Sequence, residues 1–343
     1  NNSKKDQFRF NGKVVWNITQ HLKIQGTAGA ELNWFTFEDY KAPTTPGYES
    51  GYLQNNNFRN RMYNFELLAL YNNSWGDFDF NATLGGNLYK VNNQTIVTTA
   101  KDMKIRDVVA LMSFNEVSVE PYSYRKQINS VYGAVNLGWK HMLYFDATLR
   151  GDQSSTLPIS NNMYIYPSFS GSFVFSELLK LGDKLPYGKV RMSWAQVGSD
   201  TDPYQLGLVY TKSKFAYPGY TIGYISNGTI PNKDLKPTKT NSFEMGLELK
   251  FLKNRIGLDF TYYSQLSKNQ IMGMASSSTS GYGYRLINAG EIENKGVEIA
   301  LNTRPIQTKD FSWDLNFNFS KNSNKVKKLV DDMDMFELEK ATW

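Results

Sequence analysis

Few residues in this chain are spaced as catalysts usually are. Ser123-Tyr124-Arg125-Lys126 has the S-x-x-K spacing of acyl-transferring serine enzymes. The companion motifs of those enzymes are missing, and so is the helix that would carry the pair. The two histidines, His21 and His141, both fall at predicted turns, where a solvated role is the simpler reading. There is no cysteine, which removes the usual zinc and haem ligand sets. Asp331, Asp332 and Asp334 could contribute to a calcium site, but a solvated acidic loop is the better reading. Arg150-Gly151-Asp152 spells an adhesion tripeptide and reads as turn chemistry at a strand end. Gly281-Tyr282-Gly283-Tyr284 opens no helix and so makes no phosphate cradle. The expectation is no catalytic residue, no metal and no cofactor. The remaining chemistry is non-covalent. Tyr204, Tyr210, Phe215, Tyr217, Tyr220 and Tyr224 crowd one long connection, and Tyr282 and Tyr284 sit in another. Their flat faces can stack on sugar rings or grip peptide side chains. These eight are the candidate contacts for a ligand or a lid. A second reading has residues 206–215 extend the strands and pack their tyrosine against neighbouring loops.

The elements that must position these aromatics are strands. From Phe311 to Ser320 the chain reads F-S-W-D-L-N-F-N-F-S, apolar at every second residue and polar between. A strand sends successive side chains to opposite faces, so this segment has one greasy and one wet face. The pattern recurs along the chain, with no helical domain beside it. Two all-β solutions exist: sheets around a dry core, or a barrel with lipid outside and water inside. Apolar residues make up only 41%, and no run of about 18 apolar residues occurs, which excludes a helical membrane protein. A barrel hides its apolar content by alternation. The net charge of +6 is dispersed, without an arginine-rich arm, so nucleic acid is not an expected partner. The Lys325, Lys327, Lys328 stretch reads as a solvated strand end.

Connections decide between the two solutions. Residues 17–21, 74–77, 140–141, 253–255 and 305–310 read as short turns, and 177–187 as a longer link with room for one helical turn. Residues 41–57, 98–124, 154–162, 200–237 and 271–285 read as long polar loops. The two kinds alternate, as in an up-and-down meander with short turns at one end and long loops at the other. The fold class expected is therefore all-β, a transmembrane antiparallel up-and-down barrel, with about twelve strands here. Leu143, Phe145, Ala147, Leu149, Phe243, Met245, Leu247, Leu249 and Phe251 should face lipid. Asp146, Arg150, Glu244, Glu248, Asp259 and Glu298 should face water, and Gly246 on that side should tolerate a long side chain. Trp16, Trp75, Trp139, Phe251 and Trp313 lie near short turns, as an interfacial aromatic girdle would. Neither end reads as a natural terminus, so residues 1–343 are expected to be part of a larger polypeptide.

The second half resembles a known family. The carrying segments are Y-P-S-F-S-G-S from Tyr166, G-K-V-R-M-S-W-A-Q-V-G-S-D from Gly188, and P-Y-Q from Pro203. I-P-N-K-D-L-K-P-T-K-T from Ile230, E-M-G-L-E from Glu244, N-A-G-E-I-E-N-K-G-V-E from Asn288 and D-F-S-W from Asp310 follow in order. Together they are similar to the SusC/RagA-like TonB-dependent transporters of the Bacteroidota outer membrane, over roughly residues 125–328. Lys233 and Pro237 depart from the more typical residues of their stretch. The resemblance implies a barrel of about 22 strands, of which this chain is the middle portion. It also implies an N-terminal plug and TonB box outside this chain, and a SusD-like surface lipoprotein as partner. The implied activity is import of an oligosaccharide or oligopeptide across the outer membrane, with no enzymatic step. Two other classes remain open at this point: an outer-membrane barrel hydrolase, against which histidine scarcity argues, and a soluble carbohydrate-binding β protein.

Overall fold

A computed structural model describes residues 2–106, 108–180, 182–212, 219–220, 222–225 and 228–329. Twelve long strands dominate it. They are β1 (Asn2–Asn17), β2 (Leu22–Lys41), β3 (Tyr52–Trp75), β4 (Phe78–Met103), β5 (Phe114–Trp139), β6 (Leu143–Ser154), β7 (Met163–Val174), β8 (Tyr187–Ser199), β12 (Thr238–Phe251), β13 (Ile256–Ala275), β14 (Tyr284–Gln307) and β15 (Ser312–Lys328). Three short strands, β9 (Tyr210–Lys212), β10 (Gly223–Ile225) and β11 (Thr229–Ile230), lie in the connection after β8. The long strands pair in sequence order from β1 to β8, then β12, β13, β14 and β15. β11 adds a short parallel pairing to β14. The five-residue helix α1 (Phe175–Leu179) fills the β7–β8 link, where one helical turn was expected. No described helix is long and apolar enough to cross a membrane.

By internal contacts the chain forms two units. The first comprises residues 1–17, 24–68 and 86–129, and the second 18–23, 69–85 and 130–343.

The registers of the second unit test the expected faces directly, because partners opposite each other share a face. One row crosses seven strands as Leu143, Phe173, Val190, Leu247, Phe260, Ile299 and Phe319. All seven are apolar. The next row is Tyr144, Ser172, Arg191, Gly246, Thr261, Glu298 and Ser320. It lies on the other face. The same registers put Asp146, Arg150, Glu244, Glu248 and Asp259 on that face with Glu298. On β12 the apolar side runs from Phe243 to Phe251, about 26 Å along the strand at 3.3 Å per residue. Tilted by about 40°, that stretch covers most of an apolar band about 25 Å tall. Near the short turns, Trp75 packs 5.9 Å from Phe80, and Phe78 lies 6.3 Å from Trp139. At the opposite border Phe169 stacks on Trp194 at 6.1 Å.

Several boundaries differ from the sequence reading. The connections expected at 41–57, 98–124 and 271–285 shrink to 42–51, 104–113 and 276–283, because the flanking strands continue. A membrane strand needs only about 9–11 residues. The prolonged parts run past that length, and their few apolar residues, such as Leu53, Ala100, Met103 and Phe114, pack into a cluster instead of alternating as a lipid-facing strand does. Pro305 lies within β14 and not in the turn. A register shift between Thr303 and Ile306 leaves the proline, which has no N–H, out of the ladder. Arg150-Gly151-Asp152 lies inside β6 and not at a turn. Lys140 and His141 have φ of 52° and 54°, the left-handed pair of a tight hairpin turn.

Gly246 corrects another expectation. The Arg191 side chain lies across its bare Cα, and a Cβ there would collide with the guanidinium. A long side chain is therefore not tolerated, although the face is wet. Ser193, half-buried opposite Ser170 and Glu244, is a serine position on the same face. Leu247→Arg should cost about 2–4 kcal/mol if near the bilayer midplane, and Ser193→Arg under about 1 kcal/mol, in a urea titration of the full-length protein in lipid. Equal costs would contradict the two-faced wall.

Candidate functional site

The water-facing wall of the second unit is wired by side chains. Arg191 on β8 donates to both carboxylate oxygens of Asp259 on β13, at 2.9 and 3.1 Å, and to the Thr261 hydroxyl at 2.6 Å. Glu244 on β12 lies 3.9 Å from the same guanidinium. Asp146 accepts from Asn136 at 2.5 Å and from Ser170 at 2.8 Å. Higher on β6, Arg150 donates to Asp152 at 2.9 Å and to Ser130 at 2.9 Å, and stands 5.2 Å from the Tyr132 ring. Tyr166 donates its hydroxyl to Asp152. Charges held this way cost little on a wet wall and would be costly in a dry core.

Toward the short turns the wall forms a polar recess of about 670 Å3. Asn81, Asn136, Asp79, Asp146, His21 and His141 help line it. The His21 ring bonds the Asn72 carbonyl at 3.0 Å, and His141 stays exposed 3.9 Å from Asp79. Both histidines are at turns, as read from the sequence. Ser123 lies mid-strand in β5. Strand geometry sends Ser123 and Lys126 to opposite faces, so they do not form an S-x-x-K pair. Asp331, Asp332 and Asp334 lie outside the described residues. No cluster of three or more metal-ligating side chains occurs among the described residues.

Among the described residues the buried clusters lie at strand ends and in the long connections beside them. In the first unit Leu53, Ala100, Met103 and Phe114 are buried together, with Tyr40 against them. They fasten the 42–51 and 104–113 connections. Beside them, Lys41 bonds Asp39 at 2.8 Å, which raises its pKa above the usual lysine range. The Glu49 carboxylate sits below its ordinary range, held first by its own backbone N–H and then by that of Gly47 at 3.0 Å. In the second unit Leu157, Tyr164 and Leu235 are buried, with Tyr166, Leu206, Ile271 and Leu286 packed on them.

That second cluster explains the motif around Leu235. Asn232 accepts the Asp234 N–H at 2.9 Å and turns the chain. Leu235, fully buried, enters the cluster. Asn288 then accepts the Lys236 N–H at 2.7 Å and donates to the Lys236 carbonyl at 2.7 Å and the Asn269 carbonyl at 3.1 Å. At the other stem, Ser154 and Thr156 donate to Asp200 at 2.5 and 3.2 Å. Gly198 is bare because the Tyr164 ring lies over it. Leu206 joins the cluster, and β8 ends at Ser199, while residues 213–215 of the stretch read as a strand extension lie outside the described residues.

Most of the candidate aromatics among the described residues are exposed. Tyr204, at φ 65°, Tyr210, Tyr220 and Tyr224 are all exposed, and so is Tyr284, while Tyr282 is half-buried. β9 and β10 form a small hairpin in which Tyr224 opposes Thr211 and Tyr210 opposes Ile225. Tyr210 and Tyr224 therefore sit on opposite faces of it, and no single stacking platform includes both. Tyr284 opens β14 opposite Ala275 and Thr229. Phe215 and Tyr217 lie outside the described residues. The sequence reading missed Leu235, Asn288 and Asp200 as anchors. A lone leucine in the polar run N-K-D-L-K-P was the available signal.

The family profile described as TonB dependent receptor-like, beta-barrel, matches residues 1–334. The chain belongs to that family. It is thus part of an outer-membrane β-barrel. TonB-dependent receptor P3 of Formosa agariphila is 28% identical over 97% of this chain and 34% of its own length. TonB-dependent receptor SusC of Bacteroides thetaiotaomicron is 26% identical over 98% of this chain and 35% of its own length. Among solved structures, a chain of the RagAB peptide transporter superposes with a TM-score of 0.86. It is 22% identical, over 95% of this chain and 37% of that one. The chain spans about a third of the length of the curated relatives it matches over most of its own length.

Anchoring of the 200–237 connection has a direct consequence. Leu235→Ala should cost about 2–5 kcal/mol locally, and Asn288→Leu should free the same segment. Limited proteolysis of the full-length protein should cut near 200–237 several-fold faster in both variants, with the barrel's resistance to heat in detergent unchanged. Unchanged cleavage would remove the anchoring role.

Proposed function

We propose that this chain is the middle portion of the barrel of an active outer-membrane importer for a large nutrient, an oligosaccharide or oligopeptide. The observation that carries the reading is the wall itself. Seven strands align an unbroken apolar row on one face and an ion-paired, hydroxyl-bearing row on the other. Such a wall separates hydrocarbon from a wet passage. Kinship to SusC and the fold of the RagAB peptide transporter support the two cargo classes. A large cargo does not diffuse through a narrow pore, which suits a wide passage driven by TonB.

In this reading TonB acts through an N-terminal segment outside this chain, and a SusD-like lipoprotein delivers cargo from the cell surface. The barrel moves its cargo without chemical change, so it is not an enzyme. The long connections 42–51, 104–113, 155–162, 200–237 and 276–283 face outward from the cell, and the short turns face the periplasm. The exposed Tyr204, Tyr210, Tyr220, Tyr224 and Tyr284 and the half-buried Tyr282, with Phe215 and Tyr217, meet ligand or lid there.

Two measurements test this. Single cysteines in 200–237 should react with an impermeant maleimide on intact cells, and one at Lys253 should not. The opposite pattern would invert the topology. Replacing Tyr210, Tyr220 and Tyr224 together by alanine should reduce uptake of the cognate nutrient about ten-fold or more, on the usual scale of lost aromatic contacts. Wild-type uptake and wild-type capture of the lipoprotein would remove these residues from the site.

A further inference from the structure

The first unit carries a second, unassigned feature on its polar face. Gln7 and Arg9 of β1 donate to Glu31 of β2 at 2.9 and 3.1 Å, and Asn33 donates to it at 2.9 Å. Asn87 of β4 donates to Asn64 of β3 at 2.8 Å, and Tyr89 to the Met62 sulfur at 3.4 Å. These bonds fix the shared face. The alternate residues Phe8, Phe10, Phe65 and Leu67 are exposed on the other side, which makes the Glu31 face the wet one.

On that wet face a recess of about 180 Å3 opens between Arg9, Asn11, Glu31, Met62, Asn64 and Tyr89. Its depth depends on Gly29, where a Cβ would stand 2.8 Å from the Asn11 Oδ1. The Met62 thioether and the Tyr89 ring supply apolar surface. The rim is amide. Asn64 uses its carbonyl on Asn87 and keeps its NH2 as a donor. Asn11 brings its carbonyl oxygen over Gly29 as an acceptor. The charges of Arg9 and Glu31 neutralise each other.

We propose that this recess is a subsite for a neutral sugar ring of the transported cargo, a reading that rests on the import function above. A sugar ring offers hydroxyls that both donate and accept, which matches paired amide donors and acceptors. Its apolar face matches the flat Tyr89 ring. One mode of holding an extended peptide is main-chain bonding to a free sheet edge. Here β2, β3 and β4 have neighbours on both sides, so their ladders are taken. Only side chains are offered, and their net charge does not select an ionic group. The carbohydrate fits this wall better than the peptide does.

The test uses the full-length transporter with its lipoprotein, in detergent. Calorimetry would screen a panel of neutral gluco-, manno- and galacto-oligosaccharides and a panel of short peptides. At least one oligosaccharide should bind, and Tyr89→Ala should weaken it about ten-fold or more. Gly29→Ala, which fills the recess with one methyl, should weaken the same ligand while leaving the heat resistance of the barrel unchanged. Binding by peptides alone, no saturable oligosaccharide, or indifference to both substitutions would overturn the subsite. TonB-dependent uptake of labelled peptide in cells would then leave the importer reading standing. Loss of all TonB-dependent uptake by the wild-type protein would instead overturn that reading.

Discussion

Hydrocarbon supplies no hydrogen bonds to a backbone. Every N–H and C=O inside the bilayer must find a partner in the chain itself, and an antiparallel ladder is one of two ways to do it. The rest of this molecule follows from that. Once β6 to β15 are laddered, the register fixes which side chains meet lipid and which meet water. A slip by one residue would turn the row from Leu143 to Phe319 inward and bury Arg191, Asp259 and Glu244 in hydrocarbon. The Arg191–Asp259 fork, with Gly246 left bare beneath it, therefore serves as a register lock on the wet face.

A wall one strand thick has no interior of its own. Packing has to be found elsewhere, and the molecule finds it where strands rise beyond the membrane. Leu53, Ala100, Met103 and Phe114 make a small core in one unit, and Leu157, Tyr164 and Leu235 make another in the second. These clusters hold long connections in place without covering the polar wall. The family motifs fall at the same places. Asn288 clamps the backbone at Lys236, and Gly198 makes room for Tyr164. These residues fasten loops to strands.

Much of this was legible in the sequence, and the physical reason is alternation. The wet and greasy assignments on β6 and β12 could be read because lipid tolerates no ambiguity at positions such as Leu247 and Glu248. Strand limits could not be read where that constraint ends. β4 and β5 run to Met103 and from Phe114, through residues that look like polar loop because no lipid-facing alternation marks them and their few apolar side chains pack into a local cluster. Contacts between distant segments were also hidden. Arg191 over Gly246 and Asn288 on Lys236 depend on pairing registers that no single strand reveals. The aromatic loop was visible as composition, but the division of Tyr210 and Tyr224 between two faces was not.

The central claim is that one face of these strands meets hydrocarbon and the other meets water. Spin labels placed singly from Phe243 to Phe251 in the full-length protein in lipid would test it most directly. The account predicts that accessibility to oxygen peaks at Phe243, Met245, Leu247 and Leu249. Accessibility to a water-soluble nickel complex should peak at Glu244, Glu248 and Lys250. A profile without this two-residue period, or with the two probes exchanged, would contradict it.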